Sequence, residues 1–221
     1  MAAAAAARPS PRSGLAMSRL VVINNVTLDG VMQAPGRPDE DTRGGFQHGG
    51  WAAMRNEDPE ISRAMGERMA EAGPLLLGRR TYEDFAGYWP EQKHNPFTEV
   101  LNDVPKYVAS TTLSEPLPWS NSTLLEGDVR VAVAELKEHS ARDVGVLGSG
   151  ELVQSLMRHG LVDEYLLLIH PLVLGSGRRL FRDGSPFTTL RLIDSLRTTT
   201  GVLIATYRPA HDAAASGEPA G

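Results

Sequence analysis

Residues 144–160 read VGVLGSGELVQSLMRHG and join an apolar run to a patterned segment through Gly148, Ser149 and Gly150. The apolar run predicts a short strand, and Gly160 is typical of the residue that ends a helix. Four apolar residues of the segment recur at the spacing of one helical face: Leu152, Val153, Leu156 and Met157. The stretch therefore predicts a strand, a turn and a helix, and the turn either simply connects them or binds a phosphate group.

Related patterns occur earlier in the chain. Residues 75–85, LLLGRRTYEDF, predict a strand, a glycine and a helix that begins near Thr81, with Asp84 completing the pattern of a capping box. Residues 106–111, KYVAST, predict a strand that ends in hydroxyl side chains, and residues 19–30, RLVVINNVTLDG, predict a β-branched strand that ends in a loop. Strands that alternate with helices indicate a largely parallel sheet.

The pattern changes in the last third of the chain. Residues 162–175, VDEYLLLIHPLVLG, predict a long apolar strand, and residues 189–209, TLRLIDSLRTTTGVLIATYRP, predict an antiparallel hairpin. We therefore expect an α/β fold with three layers, α/β/α, around a central mixed, mostly parallel sheet with antiparallel C-terminal strands. One domain is expected over residues 18–209, between a disordered N-terminal extension over 1–17 and a disordered tail over 210–221.

Composition narrows the function classes. The formal net charge is −5 and the basic residues are scattered, which argues against nucleic acid as a partner. No stretch approaches the roughly 20 apolar residues that cross a bilayer, so no membrane interaction is expected. The absence of cysteine excludes disulfides and thiolate chemistry and fits a cytoplasmic location. The histidines show no metal-binding spacing, so no metal site is expected.

Polar residues follow three of the predicted strands. Ligands of parallel sheets bind beyond the carboxyl ends of the strands, where helix N-termini, cations and hydroxyl groups attract phosphate oxygens. The three strand ends are Gly78-Arg79-Arg80-Thr81, Ser110-Thr111-Thr112 and Gly148-Ser149-Gly150. Each alone is more typical of turn chemistry, but their joint occurrence favours a nucleotide-binding site.

Four of these stretches, in this order, resemble the dihydrofolate reductase-like superfamily, and within it the bacterial branch related to the riboflavin-biosynthesis (RibD) C-terminal reductase domain. The resemblance runs from about residue 19 to residue 209 and implies NADPH (NADP) as cofactor. The stretches are LLLGRRTYEDF, KYVASTTL, VGVLGSGELVQSLM and VDEYLLLIHPLVLGSGRRLF.

The resemblance also implies roles for individual residues. The residues implied to bind the cofactor's phosphates are Gly78, Arg79, Thr81, Gly148, Ser149, Gly150, Glu151 and Leu152. Ser110 and Thr111 are implied at the adenosine end, and Val26 and Thr27 near the nicotinamide. Dihydrofolate reductase has an arginine where this chain has Glu151, which leaves Arg79 and the hydroxyl groups to bind a 2′-phosphate.

Residues for the chemistry itself are less clearly marked. Asp29, after the first strand, and Glu60, at the start of a helix predicted over 59–72, are the candidate catalytic acids. The alternatives are that Asp29 belongs to an ordinary Asp-Gly turn and that Glu60 complements a helix dipole. The aromatic residues Trp51, Tyr82 and Phe85 are candidates for the substrate wall, although the spacing of the last two also suits core packing.

These observations predict an NADPH-dependent reductase that transfers a hydride to a small heterocyclic substrate. The resemblance suggests 5-amino-6-(5-phosphoribosylamino)uracil or a related pterin or pyrimidine. Two alternatives stay open: a non-catalytic nucleotide-binding protein with the same fold, and a structural dimerisation domain. A homodimer is compatible with each of these readings and is implied by the resemblance, formed through sheet-edge strands around residues 165–175.

Overall fold

A computed structural model describes residues 17–93, 95 and 97–210, and the expectations for the two chain ends beyond these ranges lie outside it. The strands are β1 Leu20–Thr27, β2 Leu75–Gly78, β3 Lys106–Ala109, β4 Ser122–Leu124, β5 Val144–Leu147, β6 Glu164–His170, β7 Leu190–Arg197 and β8 Leu203–Pro209. The helices are α1 Ala53–Asn56, α2 Pro59–Ala70, α3 Arg79–Tyr88, α4 Phe97–Asp103, α5 Val129–His139 and α6 Gly150–Arg158.

The strands of the described residues form one mixed sheet in the order β4-β3-β2-β5-β1-β6-β8-β7. Strands β1 to β6 run parallel to one another wherever they pair, whereas β8 is antiparallel to both β6 and β7. The expected α/β fold with antiparallel C-terminal strands is therefore confirmed.

Alternating residues of the strands face two layers of helices. On one face, Leu20 and Val22 of β1 pack with Val133 of α5 and Leu156 of α6 in one continuous apolar cluster. On the other face, Val21 packs against Ile61 of α2. This alternation follows from the two-residue period of a strand, which sends successive side chains to opposite faces.

The face covered by α2 has a divided core. Val21 and Ile61 belong to one buried cluster, which also contains side chains of β6 and β8. Leu77 of β2, Tyr82 of α3 and Leu101 of α4 belong to a second, separate cluster. The space between these two clusters opens towards the carboxyl ends of the strands and becomes important below.

Three local expectations need correction. Helix α3 begins at Arg79 rather than near Thr81, and Thr81 does not start a capping box, because its hydroxyl accepts a hydrogen bond from the next strand end. Strand β6 ends at His170, directly before Pro171, which lacks the N–H group needed to extend the ladder. Residues 165–170 form no sheet edge, because β8 pairs with β6 and leaves β7 as the outer strand.

Candidate functional site

The carboxyl ends of β1, β2, β3 and β5 meet at one edge of the sheet and border a cleft of about 1060 Å³. The cleft brings together most of the residues that the sequence marked. The predicted site residues that line it are Gly78, Arg79, Thr81, Phe85, Ser110, Thr111, Gly148, Ser149, Gly150, Glu151 and Leu152. The predicted site residues that do not line it are Val26, Thr27, Asp29, Trp51, Glu60 and Tyr82.

Ser149 links two of the strand ends through reciprocal hydrogen bonds. Its hydroxyl oxygen accepts from the backbone N–H of Gly78 at 2.8 Å, and its own N–H donates to the hydroxyl oxygen of Thr81 at 3.0 Å. Ser149 adopts a left-handed backbone conformation, with φ 58° and ψ 49°, which is uncommon for a residue with a side chain. These two hydrogen bonds hold the turn in that conformation and fix the starts of α3 and α6 relative to each other.

Gly148 stands where a side chain would be strained and tightly packed. Its φ is +57°, and a Cβ atom there would lie 3.2 Å from the methyl group of Thr81. The glycine therefore allows the chain to turn closely around Thr81 before α6 begins. After the turn, the N–H groups of Gly150, Glu151 and Leu152 start the helix and have no carbonyl acceptor one turn earlier within it. Such amides suit an anionic oxygen.

Two arginines from a distant segment neutralise Glu151. Arg182 donates to its two carboxylate oxygens at 2.9 and 2.8 Å, and Arg178 lies 3.3 Å away. The hydrogen bond from Arg182 is the main cause that lowers the pKa of the Glu151 carboxyl, and the charges of Arg178 and Arg43 add to it. The acid at the start of α6 is therefore ionised and paired.

Both arginines line the cleft, although sequence reasoning did not select them. Their segment is held against the chain that follows β1, because the N–H of Met32 donates to the carbonyl of Arg178 at 2.9 Å and Val31 pairs with Arg179. The GRR at residues 177–179 marks Arg178 in the sequence, whereas Arg182 lies outside this motif. Nothing local in it indicates proximity to residue 151.

The two predicted catalytic acids lie outside the cleft. Asp29 accepts hydrogen bonds from the hydroxyl of Thr27 at 2.6 Å and from the N–H of Gly175 at 2.9 Å. The Thr27 hydroxyl is the main cause that lowers the pKa of Asp29, so this carboxylate anchors the segment after β6 in its ionised form. Glu60 lies in the first turn of α2, as the helix-dipole alternative anticipated.

Several other predicted residues have structural surroundings. Tyr82 is 1% exposed, and its hydroxyl accepts from the N–H of Trp119 at 3.0 Å, so this ring is part of the core. The indole N–H of Trp51 donates to the carbonyl of Gln33 at 2.7 Å, and the ring packs edge-on against the buried His170. Val26 and Thr27 are also buried, and neither lines the cleft.

Comparison with known proteins identifies the family of the chain. Residues 19–204 match the RibD C-terminal domain family, which covers most of the chain. The chain belongs to this family. The uncharacterized protein YyaP of Bacillus subtilis (strain 168) is 26% identical over 201 residues, which cover 88% of this chain and 97% of that protein. YwjB of the same organism is 30% identical over 123 residues, covering 53% of this chain and 63% of that protein.

Solved structures share the fold of this RibD C-terminal domain. A protein of Shewanella sp. PV-4 named for riboflavin biosynthesis superposes with a TM-score of 0.64 at 21% identity, covering 87% of this chain and 99% of that one. Dihydrofolate reductase from Enterococcus faecalis, complexed with NADP(H), gives 0.54 at 13% identity, covering 86% and 96%. A pyrimidine reductase-like protein from Corynebacterium diphtheriae gives 0.57 at 13%, covering 88% and 93%.

The RibD C-terminal domain carries a further acid in its cleft, which the sequence did not single out. Glu40 lines the cleft, and one of its carboxylate oxygens accepts from the N–H of Gly36 at 2.7 Å and of Arg37 at 3.1 Å. Burial raises the pKa of Glu40 despite these two hydrogen bonds. A carboxyl group with a raised pKa keeps its proton to a higher pH than an ordinary glutamate does, which suits a general acid.

Five of the residues lining the cleft have a buried polar atom without a hydrogen-bond partner among the described residues. They comprise three donors and two acceptors: Asn24 Nδ2, Arg43 Nη1, Trp89 Nε1, Asn56 Oδ1 and Asp84 Oδ2. Native proteins contain few such atoms, because each one costs about 1–3 kcal/mol. Their concentration around one cleft indicates a site for a ligand with polar edges.

No group of three or more histidine, aspartate or glutamate side chains is arranged to hold a metal ion within residues 17–93, 95 and 97–210. Over the same ranges, no helix has the length and apolar character needed to cross a membrane.

Proposed function

We propose that this protein is an NADPH-dependent reductase that transfers a hydride to a small heterocyclic substrate. The observation that carries the proposal is the cleft at the strand ends, where α6 presents the amides of Gly150, Glu151 and Leu152 beside several arginines. NADPH, when bound, supplies the hydride. The fold shared with dihydrofolate reductase and the membership of the RibD C-terminal domain family support this assignment.

The residues present fit such a cofactor. The amides that start α6 suit a pyrophosphate, and Arg79, Ser110 and Thr111 offer a cation and hydroxyl groups for a 2′-phosphate further along the same edge. Glu151 does not oppose this, because Arg178 and Arg182 neutralise it. NADPH is therefore proposed in preference to NADH.

The substrate is proposed to be a pyrimidine, a pterin or a related heterocycle. Such rings carry alternating donors and acceptors, and the cleft offers both kinds of unpaired atom, such as Trp89 Nε1 and Asn56 Oδ1. Glu40 is the acid best placed to supply a proton to the reduced ring. We further propose a homodimer in the cytoplasm that pairs through β7, which is one of the two outer strands of the described sheet.

The test is a titration of the purified protein with NADPH and with NADH, followed by nicotinamide fluorescence. The variant is Arg79→Ala, and the matched control is Arg63→Ala, because both arginines form the same exposed helical ion pair at 3.0 Å, with Glu83 and Glu67 respectively. Arg79 lines the cleft and Arg63 does not. We expect NADPH to bind at micromolar concentration, about tenfold more weakly in Arg79→Ala, and equally well in Arg63→Ala.

Two results would overturn parts of the proposal. Failure of both nucleotides to bind would remove the reductase assignment and leave Gly148-Ser149-Gly150 as a connecting turn. Nucleotide binding without oxidation of NADPH by any pyrimidine, pterin or phosphoribosylated pyrimidine tested would favour the non-catalytic nucleotide-binding alternative.

A further inference from the structure

Asn25 of β1 lines the cleft, and one end of its side-chain amide is fixed by a neighbouring strand. Its Oδ1 atom lies 2.8 Å from Nε2 of His170 on β6. Side chains of a strand alternate between the two faces of the sheet, so Asn25 lies on the same face as Val21, which packs with Ile61 of α2. The amide is therefore on the face where the divided core opens to the cleft.

The ring of His170 donates this hydrogen bond. The side chain is fully buried, and burial lowers its pKa from 6.5 to about 4, so the ring is neutral near pH 7 and carries one proton. With the proton on Nε2, the contact with Asn25 is an N–H to oxygen hydrogen bond, and only a lone pair at Nδ1 lacks a partner. A proton on Nδ1 would instead bury an N–H group without an acceptor, which is the rarer arrangement. Oδ1 of Asn25 is therefore the acceptor.

The nitrogen end of the Asn25 amide is left for a ligand. No described residue accepts a hydrogen bond from Nδ2 of Asn25, and this atom is not among the buried atoms without a partner. It is therefore accessible from the cleft that Asn25 lines. The preceding residue, Asn24, adds a buried Nδ2 without a partner among the described residues, and it lines the same cleft. Strand β1 thus presents amide donors to the cleft.

His170 is itself held by its surroundings. The indole ring of Trp51 packs edge-on against it, with the ring centroids 5.2 Å apart, and the indole N–H donates to the carbonyl of Gln33. The backbone of His170 pairs with Thr27 at the end of β1. An asparagine amide without a fixed partner can present either its oxygen or its nitrogen. The imidazole therefore determines which end of the Asn25 amide faces the cleft.

We propose that Asn25 is a specificity-determining residue whose amide donates a hydrogen bond to a carbonyl oxygen of the substrate ring, and that His170 is the positioning residue that keeps the amide in this orientation. The proposal rests on the proposed function, because it assigns the turns after β2, β3 and β5 to the cofactor and β1 to the group that receives the hydride. A ring with an amino group at this edge is disfavoured, since its N–H groups would face those of Asn25.

The test compares two pteridines, lumazine with two carbonyl groups and 2,4-diaminopteridine with two amino groups. Each is titrated by isothermal calorimetry into the full chain at neutral pH, with and without NADP⁺, which has no hydride to transfer. We expect lumazine to bind about tenfold more tightly. Asn25→Asp replaces the donor by an acceptor and should reverse the preference. Gln47→Glu is the matched control, because it adds the same charge at an exposed residue outside the cleft and should leave the preference unchanged.

Two variants of His170 separate positioning from packing. His170→Phe keeps an aromatic ring against Trp51 but cannot donate to Asn25, whereas His170→Gln keeps an N–H donor. We expect the preference for lumazine to fall to about threefold or less in His170→Phe and to recover in His170→Gln. Loss of packing alone would weaken both probes equally and leave their ratio unchanged.

The inference is overturned if 2,4-diaminopteridine binds the wild type as tightly as lumazine, if neither probe binds, or if His170→Phe keeps the wild-type ratio. If His170→Phe does not fold, Asn25→Asp still decides, because an unchanged preference for lumazine in that variant also overturns the inference. An NADPH titration of the wild type tests the proposed function separately. Its failure would refute that function, whereas the ratio of the two probes without NADP⁺ would still report on Asn25.

Discussion

Glu151 and Arg182 form a two-point ion pair, 2.8 and 2.9 Å long, across the start of α6. The pair joins residues that are 31 positions apart in the chain. The N-terminus of a helix attracts anions, and the carboxylate of Glu151 partly cancels the positive potential there that would attract a phosphate ligand. A negative residue at this position is therefore compatible with nucleotide binding and also limits it.

Replacement of Glu151 by glutamine should tighten NADPH binding. The change removes one negative charge from the cleft and frees the guanidinium groups of Arg178 and Arg182 for phosphate oxygens. We expect a Kd about three- to tenfold lower at low salt, with a smaller effect at high salt. Nicotinamide fluorescence measures the Kd, and Glu138→Gln, on the exposed side of α5, controls for net charge. An unchanged or higher Kd in Glu151→Gln would contradict the expectation.

Replacement of Ser149 by alanine should loosen the link between the strand ends. The N–H of Gly78 would lose its acceptor, and the left-handed residue would lose the hydroxyl that holds it in place. We expect the free energy of unfolding to fall by about 1–2 kcal/mol and NADPH binding to weaken. Urea unfolding measures the first effect, with Ser155→Ala on the same helix as the control. Equal unfolding midpoints for the two variants would show that the link is dispensable.

His170 should make stability depend on pH. Its side chain is fully buried, and burial lowers the pKa of His170 from 6.5 to about 4. At pH values between about 4 and 6.5, His170 therefore binds a proton in the unfolded chain but not in the folded chain. The stability contribution is therefore complete above pH 6.5 and is lost as pH falls towards 4, by an amount on the order of 3 kcal/mol.

The measurement compares urea unfolding of the wild type and of His170→Gln from pH 7 to pH 4. The difference between the two proteins should shrink as the pH falls, because the variant lacks the titrating ring. His159→Gln, at the exposed end of α6, should follow the wild type throughout. A difference that does not change with pH would mean that His170 has the same pKa in the folded and the unfolded chain, and therefore that its ring is not buried in solution.

The carboxyl group of Glu40 should have a raised pKa. Burial raises the pKa of Glu40, and its position in the cleft makes it the proposed proton donor. We expect a ¹³C NMR titration to contain one glutamate carboxyl signal shifted to higher pH, which Glu40→Gln removes and Glu71→Gln leaves in place. If the shifted signal survives in Glu40→Gln, Glu40 is not the group with the raised pKa.

Much of the fold follows from local patterns. The strand before Gly148 and the helix after Gly150 could be predicted because the spacing of apolar residues and the positions of small residues are local features of the sequence. The antiparallel hairpin of β7 and β8 was predictable for the same reason. The identity of the strand at this edge of the sheet was not predictable, because no local pattern indicates that β8 pairs with β6 rather than lying outside β7.

The sequence predicted the site residues whose role depends on the local backbone, and it missed residues whose role depends on how the chain folds around the cleft. The strand-end residues were selected because glycine, serine and threonine at such positions have a physical reason to be there. Arg178 and Arg182 were missed because their significance arises from contact with Glu151, which lies far away in the sequence. Glu40 was missed because only the folded structure shows that it lines the cleft. Tyr82 was selected as an aromatic residue near a strand end, but it lies on the face of α3 that packs into the core.

The strand order also has a consequence for synthesis on the ribosome. Strand β1 pairs only with β5 and β6 among the described strands, and these begin at Val144 and Glu164. At about 5–20 residues per second, translation leaves β1 without either partner for roughly 6–25 seconds. A nascent chain that stops before β5 therefore has neither a completed sheet centre nor a cleft, and it exposes the apolar strand Leu20–Thr27 to chaperones and to other nascent chains.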